Sequence, residues 1–192
     1  MSGVDRLKGW AKKATPTTEG ERLPNLYDTL RIMKHDRGVD QALLYLMSLR
    51  RDQLLMIKTP SLLSQLSRVA CLNTESSSTT ETPKNNSPKA LKRALGAIKL
   101  LSQLQAPPPC LAERWLRPGL SSSRQVTGDL AFDLLSRASA LAYRRGGRVD
   151  LLQGMTKHPD PEVREHAAHA GADPETLCTC LNDPWRLVRF AA

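Results

Sequence analysis

The chain has 192 residues and a formal net charge of +9, with 40% hydrophobic and only 4% aromatic residues. This length allows one or two small domains and can bury a core without disulfide or metal support. The apolar residues are mainly leucine and alanine, which favour helices. The composition therefore predicts an all-α fold and argues against a β-sandwich.

Four cysteines, Cys71, Cys110, Cys178 and Cys180, are scattered along the chain. The first residues lack the apolar run of a secretory signal, so we expect the protein to work in a reducing cytoplasm. The apolar stretch from Ala42 to Met47 is far shorter than a bilayer-spanning helix. We therefore expect no transmembrane span.

Composition and periodicity divide the chain into five segments. Residues 1–24 form a basic amphipathic or disordered arm, and residues 25–72 place leucines at helical spacing that predicts a unit of three helices. Residues 73–87 lack aliphatic and aromatic side chains and predict a flexible linker. A basic helix and a connector follow over 88–127. Residues 128–192 predict short helices arranged as a solenoid-like repeat domain, so that a helical bundle is followed by a repeat.

Proline and glycine mark the expected helix boundaries. Thr59-Pro60 and Ser87-Pro88 each place a capping side chain before a proline at the first helical position, where its missing N–H has no cost. Arg37-Gly38 predicts a break between two early helices. The run Pro107-Pro108-Pro109 ends the basic helix, and a short helical piece, Cys110 to Leu116, follows it.

Two short segments near the C-terminus repeat one another. Asp160-Pro161 is paired with Asp183-Pro184, and Val163-Arg164 with Val188-Arg189, which lies 25 residues later. A second register agrees: Leu151 and Met155 have counterparts 26 residues later in Leu177 and Leu181. Spacing of this length is typical of helical solenoids.

The residues from His158 to Ala192, with their D-P-x-V-R-x-x-A-A element, resemble the bacterial leucine-rich repeat variant family and, more loosely, HEAT-like repeats. The resemblance implies stacked pairs of short helices in which Arg164 and Arg189 brace neighbouring turns. The residues implied to point inward are Val163, Leu177, Leu181 and Val188.

The motifs of common enzymes are absent from the sequence, including G-x-S-x-G and the phosphate-binding G-x-x-x-x-G-K. We therefore expect a non-enzymatic protein without a cofactor. His166, His169, Cys178 and Cys180 give the order H-x2-H-x8-C-x-C, a candidate zinc set. Because the two cysteines would lie on different faces of one helix, we expect them to pack rather than bind metal.

Nucleic-acid binding is the alternative function, since residues 1–72 and 73–127 each carry a net charge of +5 (12 basic against 7 acidic, and 8 against 3). The candidate phosphate contacts are Lys89, Lys92, Arg93, Lys99, Arg144, Arg145 and Arg148. The last three flank Gly146-Gly147, which is more typical of a helix C-terminus. Asp183, Trp185 and Arg186 superficially resemble the catalytic set of glycosylases built from HEAT-like repeats. Residues 128–192 carry a net charge of −1, however, which argues against a DNA groove there.

The leading prediction is an adaptor or regulator that docks a protein partner through the repeat domain. Solenoid surfaces bind by shape, and residues near the turns are the ones displayed outward. The predicted contact residues are His158, Glu162, His169, Glu175, Trp185 and Arg186. The sequence does not indicate an oligomeric state.

Overall fold

The computed structural model describes residues 26–33, 36–72, 87–117, 129–171 and 173–192. Within these ranges every regular element is helical, so the predicted all-α fold is confirmed. The predicted arm over 1–24, nearly all of the predicted linker 73–87 and the Ser-rich part of the connector lie outside them. No helix in the described ranges has both the length and the apolar character needed to cross a bilayer.

The helices are short and follow one another closely along the chain. Helices α1 to α5 cover Leu26–Met33, Asp36–Ser48, Arg51–Met56, Pro60–Ala70 and Pro88–Gln103. A π-helical turn spans Ala112–Leu116. Helices α6 to α10 cover Asp129–Arg145, Val149–Leu152, Pro161–His169, Pro174–Leu181 and Arg186–Ala191. A 3₁₀ turn over Gln153–Met155 extends α7.

Two boundaries in the first part of the chain differ from the sequence prediction. Helix α2 runs through Arg37-Gly38, so the predicted break there is wrong. Glycine at this position lies in the first turn, where its weak helix propensity matters less than in the interior. The described residues between 26 and 70 form four helices and not the predicted three, because the segment before Pro60 is divided into α2 and α3. The Ser48 hydroxyl donates to the carbonyl oxygen of Tyr45 at 2.7 Å, and Arg50 is extended.

Among the helix starts that the structure describes, four have a capping residue followed by proline, and the caps are Thr59, Ser87, Asp160 and Asp173. In each case a side-chain oxygen accepts a hydrogen bond from a backbone N–H in the first turn of the helix. This bond satisfies a donor that the helix itself cannot pair. The boundaries predicted at Thr59-Pro60 and Ser87-Pro88 are confirmed.

One continuous hydrophobic core joins helices α1 to α8. Its fully buried members include Leu46 of α2, Leu62 of α4, Ile98 of α5 and Val163 of α8. The helices on both sides of residues 73–86 therefore share one core with the first part of the repeat region. The segments on either side of residues 73–86 are therefore not separately packed domains.

Trp115 is a completely buried member of this core. Its indole N–H donates to the carbonyl oxygen of Ala70 at 3.0 Å, and its own carbonyl oxygen accepts from the Ser136 hydroxyl at 2.6 Å. The ring of Phe132 meets it edge-on, with centroids 6.1 Å apart. Trp115 thus links the end of α4, the π-helical turn and α6.

A disulfide joins Cys71, directly after α4, to Cys110, which follows the proline run, with Cα atoms 6.5 Å apart. The other two cysteines are free; Cys178 is exposed and Cys180 is buried. A paired cysteine is not what a reducing environment favours. The cytoplasmic location therefore stays a prediction.

Helix α8 packs against both α6 and α10, while α9 connects α8 to α10. A second small core joins α8, α9 and α10 and is made of Ala168, Cys180 and Val188. Val163 and Val188 are fully buried, as the family resemblance implied. Leu177 is only half-buried and Leu181 is 54% exposed, so the inward orientation expected of Leu181 is wrong.

Candidate functional site

Arg164 in α8 and Arg189 in α10 make the same hydrogen bonds 25 residues apart. Nη1 of Arg164 donates to the two carbonyl oxygens of His158-Pro159, at 2.8 and 3.0 Å. Nη1 of Arg189 donates to the two carbonyl oxygens of Asp183-Pro184, at 2.6 and 2.9 Å. Each arginine therefore holds the turn that precedes its own helix, which is the bracing role predicted for both.

The turns themselves are equivalent at the same interval. Nδ1 of His158 accepts the backbone N–H of Asp160 at 3.0 Å, and Oδ1 of Asp183 accepts that of Trp185 at 2.8 Å. His158 and Asp183 thus occupy the same position in two successive units, which we call the first unit (158–169) and the second unit (183–192). The sequence pairing of Asp160-Pro161 with Asp183-Pro184 is wrong by two residues, because Pro159 is the counterpart of Pro184.

An ion pair joins the two units. Nε and Nη2 of Arg164 donate to the two carboxylate oxygens of Asp183 at 2.7 and 3.0 Å, and both side chains are largely buried. The hydrogen bond from Arg164 is the main reason that the pKa of Asp183 lies below its usual value. This carboxylate is therefore fully engaged within the chain, which argues against the glycosylase-like role considered for it with Trp185 and Arg186.

Large apolar side chains are exposed on and beside α10. Trp185 and Leu187 are about half exposed and Phe190 is 70% exposed. The guanidinium of Arg186 lies over the Phe190 ring, 5.0 Å from its centroid. We call the side chains of Trp185, Arg186, Leu187, Arg189 and Phe190 the α10 surface.

The first unit carries different chemistry at the equivalent positions. Glu162 and Glu165 stand 25 residues before Leu187 and Phe190, so two glutamates are replaced by large apolar residues. The contact residues predicted from the sequence do not include Leu187, Arg189 and Phe190. Alignment at a constant interval of 25 residues singles out Leu187 and Phe190, because it places apolar residues at positions that are charged in the first unit. Arg189 aligns with Arg164 and does not stand out in this comparison.

His158 was predicted to be an outward contact residue, and this is wrong. It is only 3% exposed, because its ring turns inward to accept the Asp160 N–H. Glu162 is half-buried and bonded to Arg137, Oε1 to Nη1, at 2.7 Å. It is therefore already engaged within the chain.

The remaining predicted contact residues are exposed. His169 lies 3.9 Å from a carboxylate oxygen of Glu165 on the same helix, and Glu175 is in the first turn of α9. Trp185 and Arg186 belong to the α10 surface. The structure therefore brings together only Trp185 and Arg186 of the predicted set, and it adds three neighbours that were not predicted.

The candidate zinc set is not assembled. Among the described residues no group of three or more His, Cys, Asp or Glu side chains is placed to hold a metal ion. Cys180 packs against Val188 in the small core, whereas Cys178 faces solvent. His166 is half-buried, and burial together with the nearby Arg144 lowers its pKa.

The basic stripe on α5 is partly neutralised by Asp40 of α2. Arg93 donates from Nε and Nη2 to the two Asp40 oxygens at 2.6 and 2.9 Å, and its side chain is only 11% exposed. Lys89 lies 3.2 Å from the same carboxylate. The prediction that Arg93 contacts phosphate is therefore contradicted by its burial and pairing. Lys92 and Lys99 are exposed.

The segment Arg144 to Arg148 is a helix C-terminus, as expected. The N–H of Arg148 donates to Tyr143 and that of Gly147 to Arg144, and Gly147 adopts a φ of +69°. These two bonds with a left-handed glycine form a Schellman motif. A Cβ on Gly146 would lie 2.7 Å from Cγ of Pro107, so a side chain there would collide with the proline run.

The arginines of this segment have neighbours within the chain. Arg148 forms two hydrogen bonds with Asp150, at 3.1 and 3.0 Å. Nη1 of Arg144 lies 3.4 Å from Nδ1 of His166. Arg145 is exposed. The seven predicted phosphate contacts therefore do not form one free basic surface.

No family model, no curated protein and no solved structure matches this chain. The resemblance of residues 158–192 to the leucine-rich repeat variant family therefore stays a prediction. The contacts of Arg164 and Arg189 are an internal repeat of geometry and stand independently of any family.

Proposed function

We propose that this protein is a non-enzymatic adaptor or regulator that binds a protein partner through the α10 surface. The observation that carries the proposal is the exposure of Trp185, Leu187 and Phe190 within six consecutive residues. Single exposed apolar residues are ordinary on protein surfaces, but several large ones on one short helix are typical of an interaction site.

The residue types of the α10 surface support the same conclusion. Tryptophan, phenylalanine and arginine are enriched at the centres of protein interfaces, where an aromatic side chain can fill a pocket of the partner. Arg186 lies over Phe190, which is still 70% exposed. Burial of these apolar side chains by a partner would stabilise the complex by about 25 cal/mol per Å² of apolar surface removed from water.

Binding of nucleic acid is the less supported alternative. Lys89 and Arg93 share the single negative charge of Asp40, and Asp150 pairs with Arg148. Phosphate contacts would then depend on scattered charges such as Lys92 and Lys99. Steeply salt-dependent binding of random duplex or single-stranded DNA would support this alternative and count against a purely protein-binding role.

The test uses the full chain as bait, because helices α1 to α8 share one core and a fragment would cut through it. We compare the wild-type chain with a Leu187→Glu/Phe190→Glu variant, which installs the glutamates found at the equivalent positions of the first unit. Leu130→Glu, at an exposed leucine of α6, is the matched control. Captured proteins are identified by mass spectrometry and their stoichiometry is measured after purification.

We expect a stoichiometric partner to be retained by the wild type and the Leu130→Glu control and lost from the double variant. The double variant should keep the wild-type helical content by circular dichroism, because both residues are exposed. If the double variant retains the same partner at the same stoichiometry, the α10 surface is not the docking site and the proposal is wrong.

A further inference from the structure

Arg189 uses only part of the hydrogen-bonding capacity that Arg164 uses. Both arginines donate from Nη1 to two carbonyl oxygens of the preceding turn. Arg164 also donates from Nε and Nη2 to the Asp183 carboxylate. Within the described part of the chain, no carboxylate is bonded to Nε or Nη2 of Arg189. These two donors are parallel in a planar group and suit a carboxylate.

The partner of Arg164 shows what kind of group fits such a position. Asp183 precedes the N-cap Trp185 of α10 by two residues, and its Oδ1 also accepts the Trp185 N–H. The carboxylate thus belongs to a turn that starts a helix. The same helix packs Val188 into the small core with Ala168 and Cys180. One recognition element therefore combines an aspartate with an apolar helix face.

Resting on the proposed function, we propose that the α10 surface receives a helix start of a partner protein that carries an aspartate two residues before its N-cap. The carboxylate binds Nε and Nη2 of Arg189, as Asp183 binds Arg164. Apolar side chains of the same partner segment cover Leu187 and Phe190. The partner segment is thus acidic and begins a helix, and it packs on the second unit in the way that the second unit packs on the first.

Charge favours this occupant over a basic or neutral one. Arg186 and Arg189 are both exposed on α10, and no acidic side chain lies between Trp185 and Ala192. A carboxylate arriving there meets two cations, whereas Asp183 is already held by Arg164. An acidic segment is therefore attracted to the same surface whose apolar residues it covers.

The chain itself supplies a probe, a synthetic peptide copying residues 173–192, which contains the aspartate turn and the apolar face that fit Arg164. The peptide is titrated into the full-length chain, and binding is followed by calorimetry and by amide shifts in ¹⁵N-labelled protein. The control peptide carries Asp183→Asn, which has the same shape but no carboxylate. The control proteins carry Arg189→Lys, which keeps the positive charge but loses the planar pair of donors, and Leu130→Glu.

We expect saturable binding of the wild-type peptide, with shifts centred on α10. The Asp183→Asn peptide and the Arg189→Lys chain should each weaken binding at least tenfold, and together no more than either alone, because they remove the same contact. The Leu130→Glu chain should bind as the wild type does. Thermal melts establish that Arg189→Lys leaves the chain folded.

The peptide titration would overturn the inference in three ways. The first is absence of binding at millimolar peptide, and the second is equal binding of the two peptides. The third is binding that Arg189→Lys does not change, because the peptide would then have displaced the chain's own second unit from Arg164. Concentration-dependent dimerisation of the chain that Arg189→Lys abolishes would identify a second copy as the occupant instead. If a captured partner is lost from the Leu187→Glu/Phe190→Glu variant but retained by Arg189→Lys, the proposed function stands and only this inference fails.

Discussion

Arg164 and Asp183 are joined by two hydrogen bonds between side chains that are only 14% and 10% exposed. The pair links α8 to the turn before α10 and lies beside the small core of Ala168, Cys180 and Val188. Two charges with so little access to water depend on each other, because either one alone would be costly to bury. The connection between the two units is therefore ionic as well as apolar.

Replacing Asp183 by asparagine should lower the free energy of unfolding by about 3 kcal/mol, because the Arg164 guanidinium stays buried without a counter-charge. Urea denaturation of the full chain measures this change. Asp52→Asn is the control, since its pair with Arg50 is exposed, 3.3 Å apart, and should change stability by less than about 0.5 kcal/mol. Equal effects of the two substitutions would show that the buried pair has no special role.

The stability of the fold should fall as the pH is lowered from about 7.5 to 5.5. Burial, and then the charge of Arg144, lowers the pKa of His166 in the folded state. The unfolded chain binds a proton at this residue below about pH 6.5, whereas the folded chain resists it. This contribution is therefore complete above the unfolded pKa and is lost on acidification. His166→Gln should reduce the difference in melting temperature between the two pH values. If the difference in melting temperature is the same in this variant, the pH dependence arises from other groups.

Gly146→Ala should destabilise the chain by about 2 kcal/mol, because the added Cβ would collide with the Pro107 ring against which α6 ends. Gly147→Ala should cost about 1 kcal/mol through its φ of +69° alone, since nothing lies within 4 Å of the added atom. Gly154→Ala, also with open space around it, is the control and should be nearly neutral. Thermal unfolding separates the three, and equal values for Gly146→Ala and Gly154→Ala would contradict the close approach to Pro107.

Two thiols, those of Cys178 and Cys180, should react with Ellman's reagent in denaturant without reductant, and four after reduction. A disulfide closing a separation of 39 residues stabilises a fold by about 3 kcal/mol, so Cys71→Ser/Cys110→Ser should lower the urea midpoint accordingly. Cys178→Ser, at an exposed free cysteine, serves as the control. Four reactive thiols in the unreduced chain would rule out the bond.

Local features of this fold could be predicted from the sequence. The caps at Thr59 and Ser87 are followed by proline, and each signal involves only neighbouring residues. The burial of Val163 and Val188 was also predicted, from the resemblance. The repeated Asp-Pro pair, by contrast, predicts a repeat register that is wrong by two residues. Backbone hydrogen bonds define the register in the structure, and they place His158 at the position that Asp183 occupies in the second unit.

Contacts between distant residues could not be predicted in this way. Asp40 lies 53 residues before Arg93, so nothing in the local pattern of α5 indicates that one of its basic residues is neutralised. Two cysteines separated by 39 residues give no sign of pairing when four are available. For the candidate site, Arg186 and Trp185 were found because they flank a turn. Arg189 becomes a candidate contact residue only once the structure shows that Arg164 uses its Nε and Nη2 to bind Asp183.

The bond between Cys71 and Cys110 closes residues 71–110 into a covalent ring that contains the whole of 73–86. A protease that cuts one peptide bond within this ring, for example after Lys84, opens the ring without separating the two pieces. The nicked protein remains a single molecule in denaturant and falls into two fragments only when the sulfurs are reduced. Helices α4 and α5, which pack on each other on either side of that segment, thus have two covalent routes between them and lose both only after cleavage and reduction together.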